Sequence, residues 1–234
     1  MSSIVLSLGG SILLPEIDRP NIKPYLSVLT RISAKHRLFV VVGGGGTARQ
    51  YISIARTFDA DEAFSDELGI LVTRLNATLL IGALGDAAYP RVAMNHTEAL
   101  CAAESGKIVV MGGITPGQTT DAVAAVLAER VKASLFINLT AVDGIYSADP
   151  RKDASAKRYE KMTATELLRV VVGQQAVAGV NTVMDIVAVK MVERCCIPLL
   201  VMDGRDPSLL ESALETGNYV GTLVSPNGDN PFPL

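Results

Sequence analysis

The chain has 234 residues, of which 49% are hydrophobic and 19% charged, and its formal net charge is −3. This composition is that of a globular protein, and it argues against a nucleic-acid surface, because such a surface needs a concentrated excess of Lys and Arg. The N-terminal MSSIVLSLGG lacks the basic start and long apolar core of a signal peptide, and no run of about 18 apolar residues occurs, so we expect a soluble, cytoplasmic protein.

Short, continuously apolar runs recur along the chain, as is typical of strands that are covered on both faces. Between them lie helical patterns, for example Thr47–Phe58 and Asp121–Val131. This alternation predicts a largely parallel sheet between helix layers. The charged stretch Asp149–Lys161 is predicted to be a solvated loop or hairpin. The predicted strands are Ile4–Leu8, Leu38–Val42, Ile108–Met111, Leu135–Leu139 and Pro198–Met202.

Four of these strands run directly into glycine: LGGS at Leu8–Ser11, GGGG at Gly43–Gly46, MGGI at Met111–Ile114 and MDGR at Met202–Arg205. The carboxyl ends of parallel strands lie along one edge of the sheet, and ligands bind in the crevice outside it. Glycine loops between a strand and a helix suit phosphate, because bare amides and the helix N-terminus face the anion together. The four turns are therefore predicted to line one site.

Neither of two familiar phosphate loops matches these turns well. The P-loop pattern G-x-x-x-x-G-K-[ST] is absent from the sequence. The dinucleotide fingerprint fits loosely as Gly43-x-Gly45-x-x-Ala48, but its acidic partner would be Asp66, in a DEAFSDELG context that indicates a loop entering a helix and not the end of a second strand. A purely structural explanation, in which glycines only permit tight turns, fits any one loop but not three.

Two further segments carry polar groups that suit an anionic substrate. In MGGITPGQTTDAVAAVLAE, two threonine hydroxyls precede a helix whose first turn holds Asp121; this is ordinary capping, or a site for a phosphate with a metal or a developing charge. In INLTAVDGIYSADP, residues 137–150, a strand is followed by Asp143-Gly144, Tyr146 and Asp149. Turns explain each Asp pair, but not their close spacing around an aromatic residue.

The motifs LGGS, GGGxxAR, GGxxPGxTTDA and NxTxVDGxYxADP, in this order, resemble the amino acid kinase superfamily, and the set is most similar to its UMP kinases of the archaeal type. The resemblance runs from about Ile4 to Val224. It implies one amino acid kinase-like domain over residues 1–234, a three-layer αβα sandwich with a mainly parallel central sheet. The N-terminal lobe, about 1–133, would hold the acceptor, and the C-terminal lobe, about 134–234, would hold ATP.

The resemblance implies transfer of the ATP γ-phosphoryl group to UMP, in pyrimidine nucleotide (CTP) biosynthesis, by a homohexamer. From the charge and the lack of a long apolar run, we expect no nucleic-acid or membrane partner. The implied catalytic residues are Arg49 and two carboxylates, Asp121 and Asp185, at positions that organise cationic groups or magnesium. Mg²⁺ is expected to arrive with ATP, and the sequence predicts no dedicated metal site in the protein. The residues implied to contact ATP are Gly9, Gly10, Gly45, Arg49, Thr140, Tyr146 and Asp149.

A second implied set surrounds UMP. Asp66 is implied to bind the ribose hydroxyls, and residues 114–120 to wrap the phosphate and the uracil. Because UMP brings its own anionic phosphate oxygen as the nucleophile, no strong general base is required, and positioning and charge neutralisation supply most of the acceleration. The set is Gly44, Asp66, Ile114, Thr115, Pro116, Gly117, Gln118, Thr119 and Thr120.

The sequence also departs from the family pattern. Bacterial relatives carry Lys where Ser7 stands, and archaeal-type relatives commonly carry Lys where Gly46 stands. Losing one such donor typically costs about 10²- to 10³-fold in rate, so Arg49 and magnesium are expected to carry that load. Two alternatives therefore stay open: a nucleotide-binding sensor or storage protein with weakened catalysis, and another phosphotransferase of the superfamily.

Overall fold

A computed structural model describes residues 1–16, 20–150, 153, 155–175, 184–226 and 230–234 of the chain. Its strands are β1 Ser3–Leu8, β2 Arg37–Val42, β3 Val109–Met111, β4 Leu135–Thr140, β5 Ile145–Tyr146, β6 Arg158–Tyr159, β7 Lys161–Met162, β8 Leu199–Asp203 and β9 Gly221–Val224. Its helices are α1 Gly10–Leu13, α2 Ile22–Lys35, α3 Gly45–Arg56, α4 Glu62–Leu84, α5 His96–Ala103, α6 Thr120–Arg130, α7 Ala164–Gln175, α8 Ile186–Cys195 and α9 Pro207–Thr216.

The central sheet has the order β3-β2-β1-β4-β8-β9-β7 in the described part of the chain. The pairs from β3 to β8 are parallel, and β9 runs antiparallel to β8. This confirms the predicted mainly parallel sheet between helix layers. The short strands β7 and β9 were not predicted. The segment Asp149–Lys161, predicted as a solvated loop or hairpin, contains β6, which pairs antiparallel with β5 just before the segment; residues 151, 152 and 154 lie outside the described residues.

Side chains of β1 alternate between two cores, as the period of a strand requires. Ile4, Leu6 and Leu8 pack into the core beneath α2, α4 and α9. Val5 packs into the opposite core, which contains the alanine-rich face of α6 and the apolar face of α8. Ser7 shares the face of Val5, and its hydroxyl is directed toward Asp121 of α6.

Helix α4 is long and apolar enough to cross a membrane by length and composition alone. It packs instead against β2, β3, α2 and α3, with Ala77 and Leu80 fully buried, and so is a core helix of the fold. Its opposite face leaves apolar side chains exposed. These are Leu71, Leu75 and Leu79.

The sheet topology places the glycine turns together. The strand order leads outward from β1 to β2 and β3 on one side, and through β4 and β8 on the other. The carboxyl ends of these parallel strands share one edge, and the change of direction between β1 and β4 opens a crevice there, where ligands of such sheets bind. Every turn that the sequence analysis singled out begins at this edge.

Candidate active site

The first two glycine loops are in backbone contact. A Cβ atom on Gly10 would lie 2.3 Å from the nitrogen of Gly45 and 2.4 Å from the oxygen of Gly43, and one on Gly43 would lie 2.7 Å from the nitrogen of Gly10. Gly45 also has a φ of +64°, which side chains rarely adopt. These three glycines are therefore required because one loop lies directly on the other, and the N-termini of α1 and α3 are brought side by side.

Beside this junction lies a cavity of about 290 Å³. It is open to solvent and sits between the N-terminal ends of α3, α4 and α6. A ligand phosphate there would meet the first turns of α3 and α6, whose amides lack intrahelical partners. The cavity is lined by Gly44, Gly45, Ala48, Arg49, Asp66, Gly69, Ile70, Thr73, Gly113, Gln118, Thr119 and Thr120.

Asp66 lies on this cavity, in the first part of α4. Helix α4 already begins at Glu62, where Asp61 caps it by accepting a hydrogen bond from the amide of Phe64 at 2.8 Å. The segment therefore enters a helix and does not end a strand, as the sequence indicated, and Asp66 lies one turn inside α4. The Oδ2 of Asp66 accepts from the amide of Gly117 at 2.7 Å, which ties the 114–120 loop to α4.

The 114–120 loop carries most of the residues predicted to bind UMP, and only the last three residues of the loop line the cavity. Thr119 caps α6, because its hydroxyl oxygen accepts from the amide of Ala122 at 3.2 Å. Thr120 and Gln118 line the cavity with it. Ile114, Thr115, Pro116 and Gly117 form the part of the loop that bridges from β3 to these residues, and they do not line the cavity as the structure outlines it.

Asp121 lies in the first turn of α6, over the ends of β1 and β4. Its Oδ1 accepts a hydrogen bond from the Ser7 hydroxyl at 2.7 Å, and Asn138 is the register partner of Ser7 on β4. Burial raises the pKa of Asp121 to about 6, with a further upward contribution from the charge of Asp185, while the Ser7 hydrogen bond lowers it. A carboxyl group whose pKa is shifted toward neutrality in a crevice is a candidate functional group.

Asp185 reaches the same region from the N-terminus of α8. Its carboxylate caps that helix, accepting from the amides of Val187 and Ala188 at 2.5 and 3.2 Å. Capping is a structural role, and it also fixes the negative charge that acts on Asp121. The two predicted carboxylates are thus close enough for the charge of Asp185 to raise the pKa of Asp121, although they are 64 positions apart in the chain.

The chemistry of these groups fits Mg²⁺ bound mainly by nucleotide phosphates. Mg²⁺ prefers oxygen ligands and is usually held through one or two carboxylates together with substrate phosphates and water. The Asp121 carboxylate and the Ser7 hydroxyl supply oxygen atoms of the right kind. Within the described residues, no three His, Cys, Asp or Glu side chains are grouped to hold a metal ion by themselves.

The predicted donor-side residues lie beyond β4. The oxygen of Thr140 accepts from the amide of Gly204, which joins the ends of β4 and β8. Asp143 accepts from the Tyr146 hydroxyl at 2.8 Å and forms an ion pair with Arg158 at 2.7 Å, so Tyr146 is fixed on the β5–β6 hairpin. Asp149 follows on the same hairpin, where its carbonyl oxygen accepts from the amide of Asp153.

Arg49 and Gly46 lie together at the start of α3. Arg49 lines the cavity, and none of the ion pairs between described residues includes it. A Cβ on Gly46 would meet only the Nη2 of Arg49, at 4.0 Å. Unlike Gly10 and Gly45, Gly46 is thus not required by close packing, and its position has room for a longer side chain.

Sequence reasoning missed the polar residues of α4 that face the site. Thr73 and Asn76 are buried, and Arg74 lies between them. Arg74 donates to the carbonyls of Gly113 and Ile114 at 3.1 and 3.4 Å. The signal was present in the sequence, since TRLN places polar side chains one turn apart within the mainly apolar run GILVTRLNATLLIGAL.

Comparison with known proteins gives consistent matches over this whole region. Residues 2–203 match the model of the Amino acid kinase family. Uridylate kinases from Methanospirillum hungatei and Methanoculleus marisnigri are 84% and 62% identical to this chain, over all of it and at least 99% of their own length. The crystal structure of uridylate kinase from Archaeoglobus fulgidus is 43% identical with a TM-score of 0.86, covering 96% of this chain and all of that one. The matched residues include the cavity and the Asp121 cluster.

Proposed function

The chain belongs to the amino acid kinase family, and we propose that it is a uridylate kinase, which transfers the γ-phosphoryl group of ATP to UMP to give UDP and ADP. The observation that carries this proposal is the cavity beside the contact between Gly10 and Gly45. There, two helix N-termini converge with one arginine and one helix-borne aspartate. This arrangement suits a nucleotide whose phosphate must meet a second phosphate end to end.

In the proposed reaction, UMP occupies the cavity and ATP lies along the ends of β1, β4 and β8. The Asp66 oxygen that does not bind Gly117 is available for the ribose hydroxyls, and the N-terminus of α6 faces the UMP phosphate. ATP lies over Gly9 and Gly10, with its nucleoside between Thr140 and Tyr146. Phosphoryl transfer needs mainly alignment and neutralisation of charge, and this site supplies backbone amides for both purposes.

Charge on the transferring group is neutralised from two sides in this proposal. Arg49 approaches from α3. On the opposite side, the Asp121 carboxylate attracts a cation such as Mg²⁺, and the Ser7 hydroxyl fixes the orientation of that carboxylate. Mg²⁺, when bound with ATP, supplies further positive charge to the β- and γ-phosphates. The ionisation of Asp121 matters here, because only the carboxylate form attracts a cation.

An assay of ADP release with a panel of acceptors tests the proposal. We expect Mg²⁺-dependent turnover with UMP well above that with CMP, AMP, GMP and small carboxylic acids. Formation of UDP is confirmed by chromatography of the products. Turnover of another acceptor in place of UMP would support a different phosphotransferase, and tight UMP binding with background turnover would support a sensor or storage protein. The full-length similarity to uridylate kinases favours neither alternative.

At low pH, the dependence of kcat/KM on pH is expected to follow the ionisation of Asp121. Because its pKa is raised to about 6, kcat/KM should fall as the pH drops through that value. Replacing Ser7 with alanine removes the hydrogen bond that lowers this pKa, so this fall should move to higher pH and the loss of activity should be greater at pH 6 than at pH 8.

The substrate also ionises in this pH range, so wild type and Ser7→Ala are compared with the same substrate. The second ionisation of a phosphate monoester also has a pKa near 6, but it contributes equally to both proteins. The displacement between the two pH profiles of kcat/KM therefore isolates the protein group. If kcat/KM falls at the same pH in wild type and in Ser7→Ala, the ionisation of Asp121 does not control the activity at low pH.

We also propose a cytoplasmic homohexamer that acts in pyrimidine nucleotide biosynthesis. The exposed apolar side chains of α3 and α4 support assembly, since contiguous apolar surface of this kind marks protein interfaces. Leu71 and Leu75 are 59% and 58% exposed on α4, and Ile54 and Phe58 are 59% and 61% exposed on and after α3. Light scattering measures the mass of the assembly.

A further inference from the structure

We propose that Asn76 is a positioning residue of the transfer reaction, through the glycine loop after β2. Arg74 has the same function for the loop after β3, which bears the acceptor residues. One turn of α4 thus fixes the loops after β2 and β3. Neither residue lines the cavity. Both act through backbone carbonyls of loops that do line it. The inference rests on the proposed function, because it concerns the loops at which the two phosphates would meet.

Asn76 holds the first of these loops. Its Nδ2 donates to the oxygen of Gly43 at 2.9 Å and is 3.4 Å from the oxygen of Gly44. Asn76 is only 3% exposed, so these bonds form away from water, where a buried amide without partners is costly. A buried asparagine on a helix otherwise packed with Ala77 and Leu80 is explained by this contact.

Because the peptide unit is planar, the hydrogen bond from Asn76 to the Gly43 carbonyl also sets the direction of the amide that follows. In a trans peptide, the C=O and the following N–H point in opposite directions. With the carbonyl of Gly43 held toward α4, the amide of Gly44 points away from that helix. The carbonyl of Gly44 is shared with α3, where it also accepts from the amide of Ala48 at 3.3 Å. Among the described residues, no hydrogen bond uses the amide of Gly44. Asn76 therefore orients a donor that is left for a ligand.

Thr73 and Arg74 hold the second loop in the same way. The Thr73 hydroxyl accepts from the amide of Gly113 at 2.7 Å and donates to the oxygen of Ile70 at 2.6 Å. Arg74 donates to the carbonyls of Gly113 and Ile114. The loop is so close that a Cβ on Gly112 would lie 2.6 Å from the Thr73 Oγ1. The loop after β3 is thereby fixed to the same helical turn as the loop after β2.

A common support fixes the distance between the two loops. Phosphoryl transfer depends on the alignment of donor and acceptor, and a displacement of about 1 Å can cost about 10²-fold in rate. Residues 73–76 occupy about one turn of helix, which is a rigid unit. Asn76 is thus expected to act on kcat, because its loop lies at the phosphate junction. Arg74 is expected to act on UMP affinity, because its loop lies on the acceptor alone.

The test compares Asn76→Ala with Leu80→Val in the ADP-release assay. Leu80 is fully buried one turn further along α4 and belongs to the core, so Leu80→Val loses stability without touching either loop. We expect Asn76→Ala to lower kcat about 10- to 100-fold, with less than about 3-fold change in either KM, while Leu80→Val keeps kcat at the wild-type value. Thermal unfolding of both variants shows that the difference does not follow stability. Equal kcat values for the two variants would overturn the inference.

A second measurement does not depend on turnover. Arg74→Met keeps the volume of the side chain but removes its donors, and we expect calorimetry to show about 10-fold weaker binding of UMP with ATP binding unchanged. Arg56→Met on α3, whose arginine pairs with the exposed Glu62, is the matched control and should bind UMP as wild type does. Unchanged UMP binding in Arg74→Met refutes its function. Wild type that neither binds nor phosphorylates UMP would instead refute the proposed function.

Discussion

Replacing Arg49 with alanine is expected to lower kcat/KM for UMP phosphorylation about 10²- to 10³-fold, the typical effect of removing one preorganised donor from a developing charge. Arg49 lines the acceptor cavity one turn after Gly45, at the N-terminus of α3. Since Ser7 and Gly46 stand where lysines were expected, Arg49 is the cation of the protein on which the proposed mechanism relies most. Steady-state kinetics with UMP and ATP varied in turn measure the effect.

Two comparisons make this prediction specific. Arg56→Ala removes the same charge from the other end of α3, where the guanidinium pairs with Glu62 at 2.8 Å, and it should leave kcat/KM within about 2-fold because exposed pairs contribute little. Adding Gly46→Lys to Arg49→Ala should restore part of the activity, because the position is open toward the place that the Arg49 side chain occupies. Wild-type kinetics in Arg49→Ala would remove Arg49 from the mechanism.

Replacing Gly10 with alanine is expected to reduce both stability and activity. The added Cβ would lie 2.3 to 2.6 Å from three backbone positions, Gly43 to Gly45, and backbone cannot turn aside as a flexible side chain does. Overpacking of this kind costs about 1–3 kcal/mol or more in the free energy of unfolding. Because the two glycine loops must separate to accommodate the methyl group, we expect kcat to fall about 10²-fold as well.

Gly82→Ala is the control for the added methyl group. Gly82 lies inside α4, and a Cβ there would have no atom within 4 Å. This substitution should stabilise the protein by about 1 kcal/mol, since alanine is the better helix former, and leave kinetics unchanged. Denaturant unfolding and the ADP-release assay are run on both variants. Gly10→Ala with normal stability and normal kcat would mean that the contact between the loops is not required.

Much of the fold could be predicted from local patterns. The five predicted strands are present to within one residue at each end, and the largely parallel order followed from their alternation with helices. The short strands β7 and β9 were missed, because two and four residues carry too little periodicity to be recognised. The helix entry at DEAFSDELG was indicated by the sequence, and only the exact start of α4 at Glu62 came from the structure.

Local sequence patterns were sufficient to predict the glycine loops and the phosphate chemistry that they indicate. A missing Cβ, a strand and a following helix are all local properties, so their order along the chain was sufficient. The tertiary structure decided which glycines are required by backbone contact and which, as at Gly46, are not. It also decided that Ser7 hydrogen-bonds Asp121, 114 positions away, and that Asn76 holds the loop after β2, 33 positions away. Such pairs depend on which strands become neighbours in the sheet and which helix face covers them, and no local pattern in one sequence contains that information.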